Sequence, residues 1–275
     1  MGKLPIVIRF VFIWLILYLL LMVPNGVLVE AEEEKKKRPQ ASKELTLPNN
    51  VISITKENTF PNPSDDATVV EPSDLARQLI NEASETIENP ELVKLLNEST
   101  IKTTPLTFGY EAEIFLGRWP LRYESESSSI IWDYKHVNTN ELNNRGQEQG
   151  KKLMYRQEKE ETVKGALMNQ VEQPEMIKTL MLQKTKERAP FSLAFTTKVG
   201  ANTKLNNVYN VGPKKVGVLQ AYVPAVNEKG QIIFGDVYLH TKGSDIQLVI
   251  KNVTKQSIGA WIPIQDHISL TYTIK

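Results

Sequence analysis

The chain has 275 residues, with 33 Lys and Arg against 32 Asp and Glu, three His and no Cys. The missing Cys excludes disulfide scaffolds, Cys-ligated zinc, iron–sulfur clusters, thiol catalysis and a lipid-modified N-terminal cysteine. Residues 1–31 hold Lys3, Arg9 and Glu30, so the remainder carries 31 charges of each sign. A neutral body lacks the Lys/Arg excess that displaces counterions from nucleic acid, and no nucleic-acid partner is expected.

The N-terminus has the order of a secretory signal. Lys3 and Arg9 precede an unbroken apolar run at residues 10–23 (FVFIWLILYLLLMV), which Pro24, Asn25 and Gly26 break. Val29 and Ala31 form the small-residue pair a signal peptidase accepts, which predicts cleavage after Ala31. The alternative is an uncleaved single-pass anchor over residues 4–29, long enough to span but interrupted by Arg9 and Pro24. Either way the body is expected outside the cytoplasm, meeting a membrane only through this segment. Residues 32–50 are charged and carry Pro39 and Pro48, a composition for a flexible linker.

From residue 51 a globular domain is expected to run to residue 275. Residues 51–55 read as a short strand and residues 61–66 as a Pro- and Asx-rich loop. Ser73 caps a first helix carrying Leu75, Leu79, Ile80, Ala83 and Ile87, and Asn89-Pro90 opens a second with Leu92, Val93, Leu95 and Leu96. The period becomes two from Pro105, with Phe108, Tyr110, Ala112, Ile114 and Leu116 on one face. A second strand in residues 121–137 places Ile130, Trp132, Tyr134 and His136 together, after a polar stretch at 124–129. Residues 138–150 read as a loop, and residues 151–171 favour strand. Pro174 starts a third helix ending near Arg188. The last 85 residues read as an antiparallel meander with turns at 206–207, 227–230 and 242–245. Pro224 and Pro263 require an edge or a bulge where they fall. The fold class is therefore α+β, mainly β: an antiparallel sheet with about three helices packed on it.

No Gly-x-Ser-x-Gly, His-Glu-x-x-His, Walker loop or Gly-x-Gly-x-x-Gly occurs, so neither a catalytic residue, a metal ligand nor a cofactor is assigned. Glu111 and Glu113 share a strand face as solvent-side acids, His136 reads as a packed, hydrogen-bonded histidine, and Asp266-His267 lacks a nucleophile. The binding candidates are Trp119, Trp132, Tyr134, Tyr222 and Trp261, which form either a platform for sugars or part of the core. Asn138, Asn143, Asn144 and Arg145 mark the loop as a second candidate.

The segments ITKENTFPNPS, PSDLARQLI, NPELVKLLNEST, GVLQAYVPAVNEKGQIIFGDVYL and VTKQSIGAWIPIQDH resemble the YfkD-like family of exported proteins from Bacillus relatives. The resemblance covers most of residues 50–275 and implies an exported protein with no catalytic residues to carry over. The expected function is a non-enzymatic cell-envelope module that binds a wall polymer or an envelope protein through a strand face or the 138–150 loop. The alternative is an envelope hydrolase with a dispersed acidic site drawn from Glu111, Glu113 and Asp266. A β-rich pore former, prompted by the alternation at 151–171, ranks last, because charges crowd both parities there.

Overall fold

The computed structural model describes residues 47–63, 70–99, 111–243 and 245–275, within one compact unit, Leu45–Lys275. The signal segment, Ala31, residues 32–46 of the linker and the expected strand residues 105–110 lie outside the described residues. Among the described residues no helix is long and apolar enough to cross a membrane.

The spine is β8 (Val216–Lys242), 27 residues that pair antiparallel with β2 (Glu111–Asn143) along one edge. Its other edge pairs with β10 (His267–Ile274) and then with β9 (Asp245–Pro263). β1 (Val51–Ser53) extends the sheet beside β10, and β5 (Ala166–Leu167) beside β9. Two small pairs complete the β structure of the described residues. β3 (Lys151–Arg156) pairs with β7 (Lys204–Val211), and β4 (Glu161–Lys164) with β6 (Thr196–Val199). Among the described residues the sheet is antiparallel throughout and carries three helices, as the α+β, mainly-β reading requires.

Three apolar clusters follow from the two-residue period of β8. Leu219, Ala221 and Val223 share a face with Ile233, Val237 and Leu239, while Val226, Ile232 and Phe234 face the other way. The first trio packs against Leu153, Tyr155 and Val211 of the β3–β7 pair. The second packs against Ala76 and Leu79 of α1 (Asp74–Glu82) and Leu92 and Leu96 of α2 (Pro90–Glu98). On the opposite face, α3 (Pro174–Lys186) sets Ile177, Leu180 and Met181 over Ile232 and Phe234. Burial from both sides explains why β8 is almost continuously apolar, each fully buried aliphatic side chain contributing roughly 1.5–3 kcal/mol.

The helix caps form as expected: Ser73 Oγ accepts from Ala76 N at 3.3 Å, and Asn89 Oδ1 from Glu91 N at 2.9 Å. α1 ends at Glu82, before Ala83 and Ile87, because Ala83 turns extended; Ile87 is buried all the same. Residues 121–137 do not form a separate strand after a polar break. β2 runs on through 124–129 to Asn143, because β8 supplies strand partners on both sides of a single three-residue gap at 132–134. The expected turn at 227–230 lies inside β8, and that at 206–207 inside β7; only 242–245 is a hairpin connection. Residues 151–171 are three short strands. Pro224 and Pro263 satisfy their constraint: β2 skips register between Ile131 and Lys135 around Pro224, and Pro263 ends β9.

Candidate functional site

The five aromatic candidates do not form one platform. The register skip opposite Pro224 leaves Trp132, Asp133 and Tyr134 out of the pairing. Trp132 turns edge-on to Phe191 at 6.4 Å, on the α3 face. Tyr134 stacks on Trp261 at 5.6 Å and 25°, and its hydroxyl donates to Lys164 O at 3.2 Å. Tyr222 meets His136 at 5.3 Å, and Trp119 belongs to the helix-covered end, with Nε1 donating to Leu116 O at 3.0 Å. The expectation that Trp132, Tyr134 and His136 share a face is therefore corrected: a bulge resets the alternation.

The loop candidates are fixed mainly by contacts to backbone groups. Asn138 lies within β2 and donates to Arg156 O at 2.8 Å. Asn144 is fully buried, with Nδ2 within 2.8–3.2 Å of the carbonyls of Gln149, Gly212 and Val211. Asn143 Oδ1 accepts from Arg145 N at 3.1 Å, and the Arg145 side chain is exposed. The irregular segment thus begins at Asn144, six residues later than the sequence suggests.

The acids named by the hydrolase reading are engaged elsewhere. Glu111 sits 3.0 Å from His240 Nε2, and Glu113 2.5 Å from Lys251 Nζ, on the exposed face of the β2–β8–β9 ribbon. Asp266 Oδ1 accepts from Asn58 and Asn62 Nδ2 at 2.9 and 2.8 Å. His136 is exposed rather than packed, hydrogen-bonded to Thr139 at 2.8 Å, because Asn138 and Val137 take the inward positions beside it. Among the described residues no three His, Asp or Glu side chains gather to hold a metal ion.

Convergent polar groups do meet in an open groove of about 470 Å³, within the range of small-molecule and oligomer sites. It is lined by Gln170, Val171 and Glu172, on the segment leading into α3, by Thr254 and Gln256 of β9, and by Phe234 and Arg118. Arg118 crosses the groove 5.6 Å above the Phe234 ring. Its Nη1 donates to Asp236 Oδ1 at 3.0 Å and its Nη2 to Thr254 Oγ1 at 2.6 Å. Asn252 and then Arg118 hold the Asp236 carboxyl below the usual carboxylate range, so it stays charged and fixes the guanidinium. Arg118 gains its position from the bulge at Gly117, whose φ of 117° no ordinary L residue adopts readily. Beyond the groove, Phe115 is 56 % exposed and lies against Tyr238 at 5.0 Å, with Lys251 Nζ over the Tyr238 ring at 4.7 Å.

The model of the YfkD-like protein family matches residues 48–275, more than three quarters of the chain. The chain belongs to the YfkD-like family. It is 49% identical over 234 residues to the uncharacterized protein YfkD of Bacillus subtilis (strain 168), covering 85% of this chain and 89% of that one. Among solved structures, the crystal structure of a lamprey immune protein aligns over 60% of this chain and 53% of its own. The TM-score there is 0.25 at 6% identity, too low to carry an argument.

The groove residues Arg118, Gln170, Thr254 and Gln256 escape a reading by motif, since they come from three distant segments. The one local signal is the glycine of Leu116-Gly117-Arg118 inside an alternating run, which marks a bulge that re-aims a side chain.

Proposed function

We propose that the protein is an exported cell-envelope module that binds a polyhydroxylated wall polymer without transforming it, on the open face of the β2–β8–β9 ribbon. The signal-like N-terminus supports export. The observation that carries the binding reading is the groove itself. Amides that both donate and accept (Gln170, Gln256), a hydroxyl (Thr254) and a pinned guanidinium (Arg118) line it, a donor and acceptor set that complements the hydroxyls of a sugar chain, while the buried Phe234 ring beneath Arg118 serves as its floor. Exposed Phe115, set against the half-buried Tyr238, prolongs this surface along the ribbon, suiting a chain of units rather than one small molecule.

The test is co-sedimentation with purified peptidoglycan stripped of anionic polymers, read alongside release of soluble fragments. The expected result is retention that falls at least fivefold in Gln256→Ala and Phe115→Ala, with no fragments released. Absence of retention overturns the binding reading, and fragment release overturns its non-enzymatic part.

A further inference from the structure

The overall neutrality of the chain conceals two cation-rich segments. Of their cations, Lys152, Arg156 and Lys204 lie on the outward face of β3 and β7, Lys151 has the parity of the buried Leu153, and Arg145, Lys214 and Lys215 lie in the flanking connections. Residues 143–156 contain four basic residues and one acid, Glu148, while residues 204–215 contain three basic residues and no acid. That is an excess of six positive charges in a chain whose formal net charge is +1. None of these seven cations forms an ion pair with another described residue.

Pairing of β3 with β7 merges the two segments. Lys152 lies opposite Asn210, Met154 opposite Val208 and Arg156 opposite Lys204. Leu153, Tyr155, Leu205 and Val211 are spent on the core, so the alternate residues all face outward and are exposed. The buried Asn144 completes the surface. Its N–H donates to Lys215 O at 2.8 Å and its carbonyl accepts from Lys214 N at 3.0 Å, holding the 212–215 turn beside the start of β3. Lys214 is kept there in the left-handed region, φ 61°.

We propose that this outward face of β3 and β7, with the adjoining turn, docks a linear polymer of repeating phosphodiesters. The face is an extended strand pair, and Lys152 and Arg156 stand roughly 13 Å apart along the strand, so it matches charge repeated along an extended chain rather than one compact anion. Asn206 and Asn210 are exposed among the cations and supply neutral donors and acceptors for hydroxyls between phosphates. The apolar part is small: only Met154, 50% exposed, and Val208, 46% exposed, cross this face, too little area to seat it in a bilayer. The inference does not depend on the groove, which lies at the other end of β8.

The experiment is binding of the full chain to soluble polyglycerol phosphate, with phosphatidylglycerol vesicles as the second arm. The polymer is expected to bind, with affinity falling at least tenfold between about 50 and about 500 mM salt. A similar loss is expected in the Lys152→Gln/Lys204→Gln variant and none in Met154→Ala/Val208→Ala. Those outward positions leave the core intact, which an unchanged melting temperature checks. No binding to the soluble polymer overturns the proposal, as does binding that the double Lys variant retains in full. Vesicle binding that depends on Met154 and Val208, without polymer binding, assigns the face to a bilayer and also overturns it.

Discussion

The Tyr123 hydroxyl donates to Oε1 of Glu228 at 3.0 Å, joining β2 to β8 across a carboxylate with no solvent exposure. Ser125 Oγ donates to the same oxygen and accepts from the Arg188 guanidinium at 2.6 Å, so Arg188 reaches Glu228 through a hydroxyl. Oε2 is buried without a partner among the described residues. Removing the acceptor in Glu228→Ala strands two donors beneath α3 and should cost about 2–4 kcal/mol in urea unfolding. Glu228→Gln keeps an acceptor for both hydroxyls and should stay within about 1 kcal/mol of the parent. Equal losses in the two variants would show that the charge, not the acceptor, matters.

Alkaline pH should loosen the fold. Burial, then the Glu228 charge, pushes the Tyr123 hydroxyl far above its ordinary value, and burial does the same to Tyr155. Above about pH 10 the unfolded chain loses these protons while the folded chain keeps them, so the unfolded state binds fewer protons and stability falls as pH rises. The stabilising contribution is fully present below that pH. Urea midpoints measured from pH 8 to pH 11 should decline, and less steeply in Tyr123→Phe/Tyr155→Phe; an unchanged slope refutes this assignment.

The segment before α1 is fastened by a doubled clasp. Asn58 and Asn62 each donate from Nδ2 to Lys198 O, both at 2.9 Å, and to Asp266 Oδ1, while Asn62 Oδ1 accepts from Lys198 N at 2.8 Å. Asn62→Ala should cost about 1–3 kcal/mol. Because the two asparagines share their acceptors, the double variant should depart from additivity by at least about 0.5 kcal/mol. Additive losses in the double-mutant cycle would mean the two arms act separately.

Close approach of β2 to β8 depends on Gly230. A Cβ there would meet Glu124 O at 2.2 Å and Tyr123 Oη at 2.6 Å. Gly230→Ala should therefore destabilise by at least about 2 kcal/mol, with the loss visible as faster amide exchange in residues 122–125. Normal stability in this variant would show that the strands can part at little cost.

Features that residues write locally were readable in advance. Ser73 and Asn89 cap their helices by their own side chains, and Pro224 forbids a regular ladder. What was not readable depends on distant residues. The sequence Asn227-Glu228-Lys229-Gly230 has the composition of a turn, yet it is strand, because Tyr123 and Ser125 satisfy Glu228 and Gly230 admits the tyrosine. The parity of Trp132 and Tyr134 is broken by a bulge whose cause lies about 90 residues on, at Pro224. The groove and the cationic face share this origin: Arg118 meets Thr254, and Arg156 meets Lys204, only through strand pairing.

Among the described residues the 33-residue β2 pairs with a strand on one side only; Arg118 O, Leu121 O and Val137 O are taken by Gln173, Glu88 and Gln157, and other parts of that edge are open to another chain. β2 breaks its register five times, so its longest regular stretch is six residues, 138–143. A foreign strand laid along it would lose step within a few residues at every point. The same irregularities that aim Arg118 and Trp132 thus keep molecules from templating one another, a protection that matters for a chain with no disulfide to hold its edges in place.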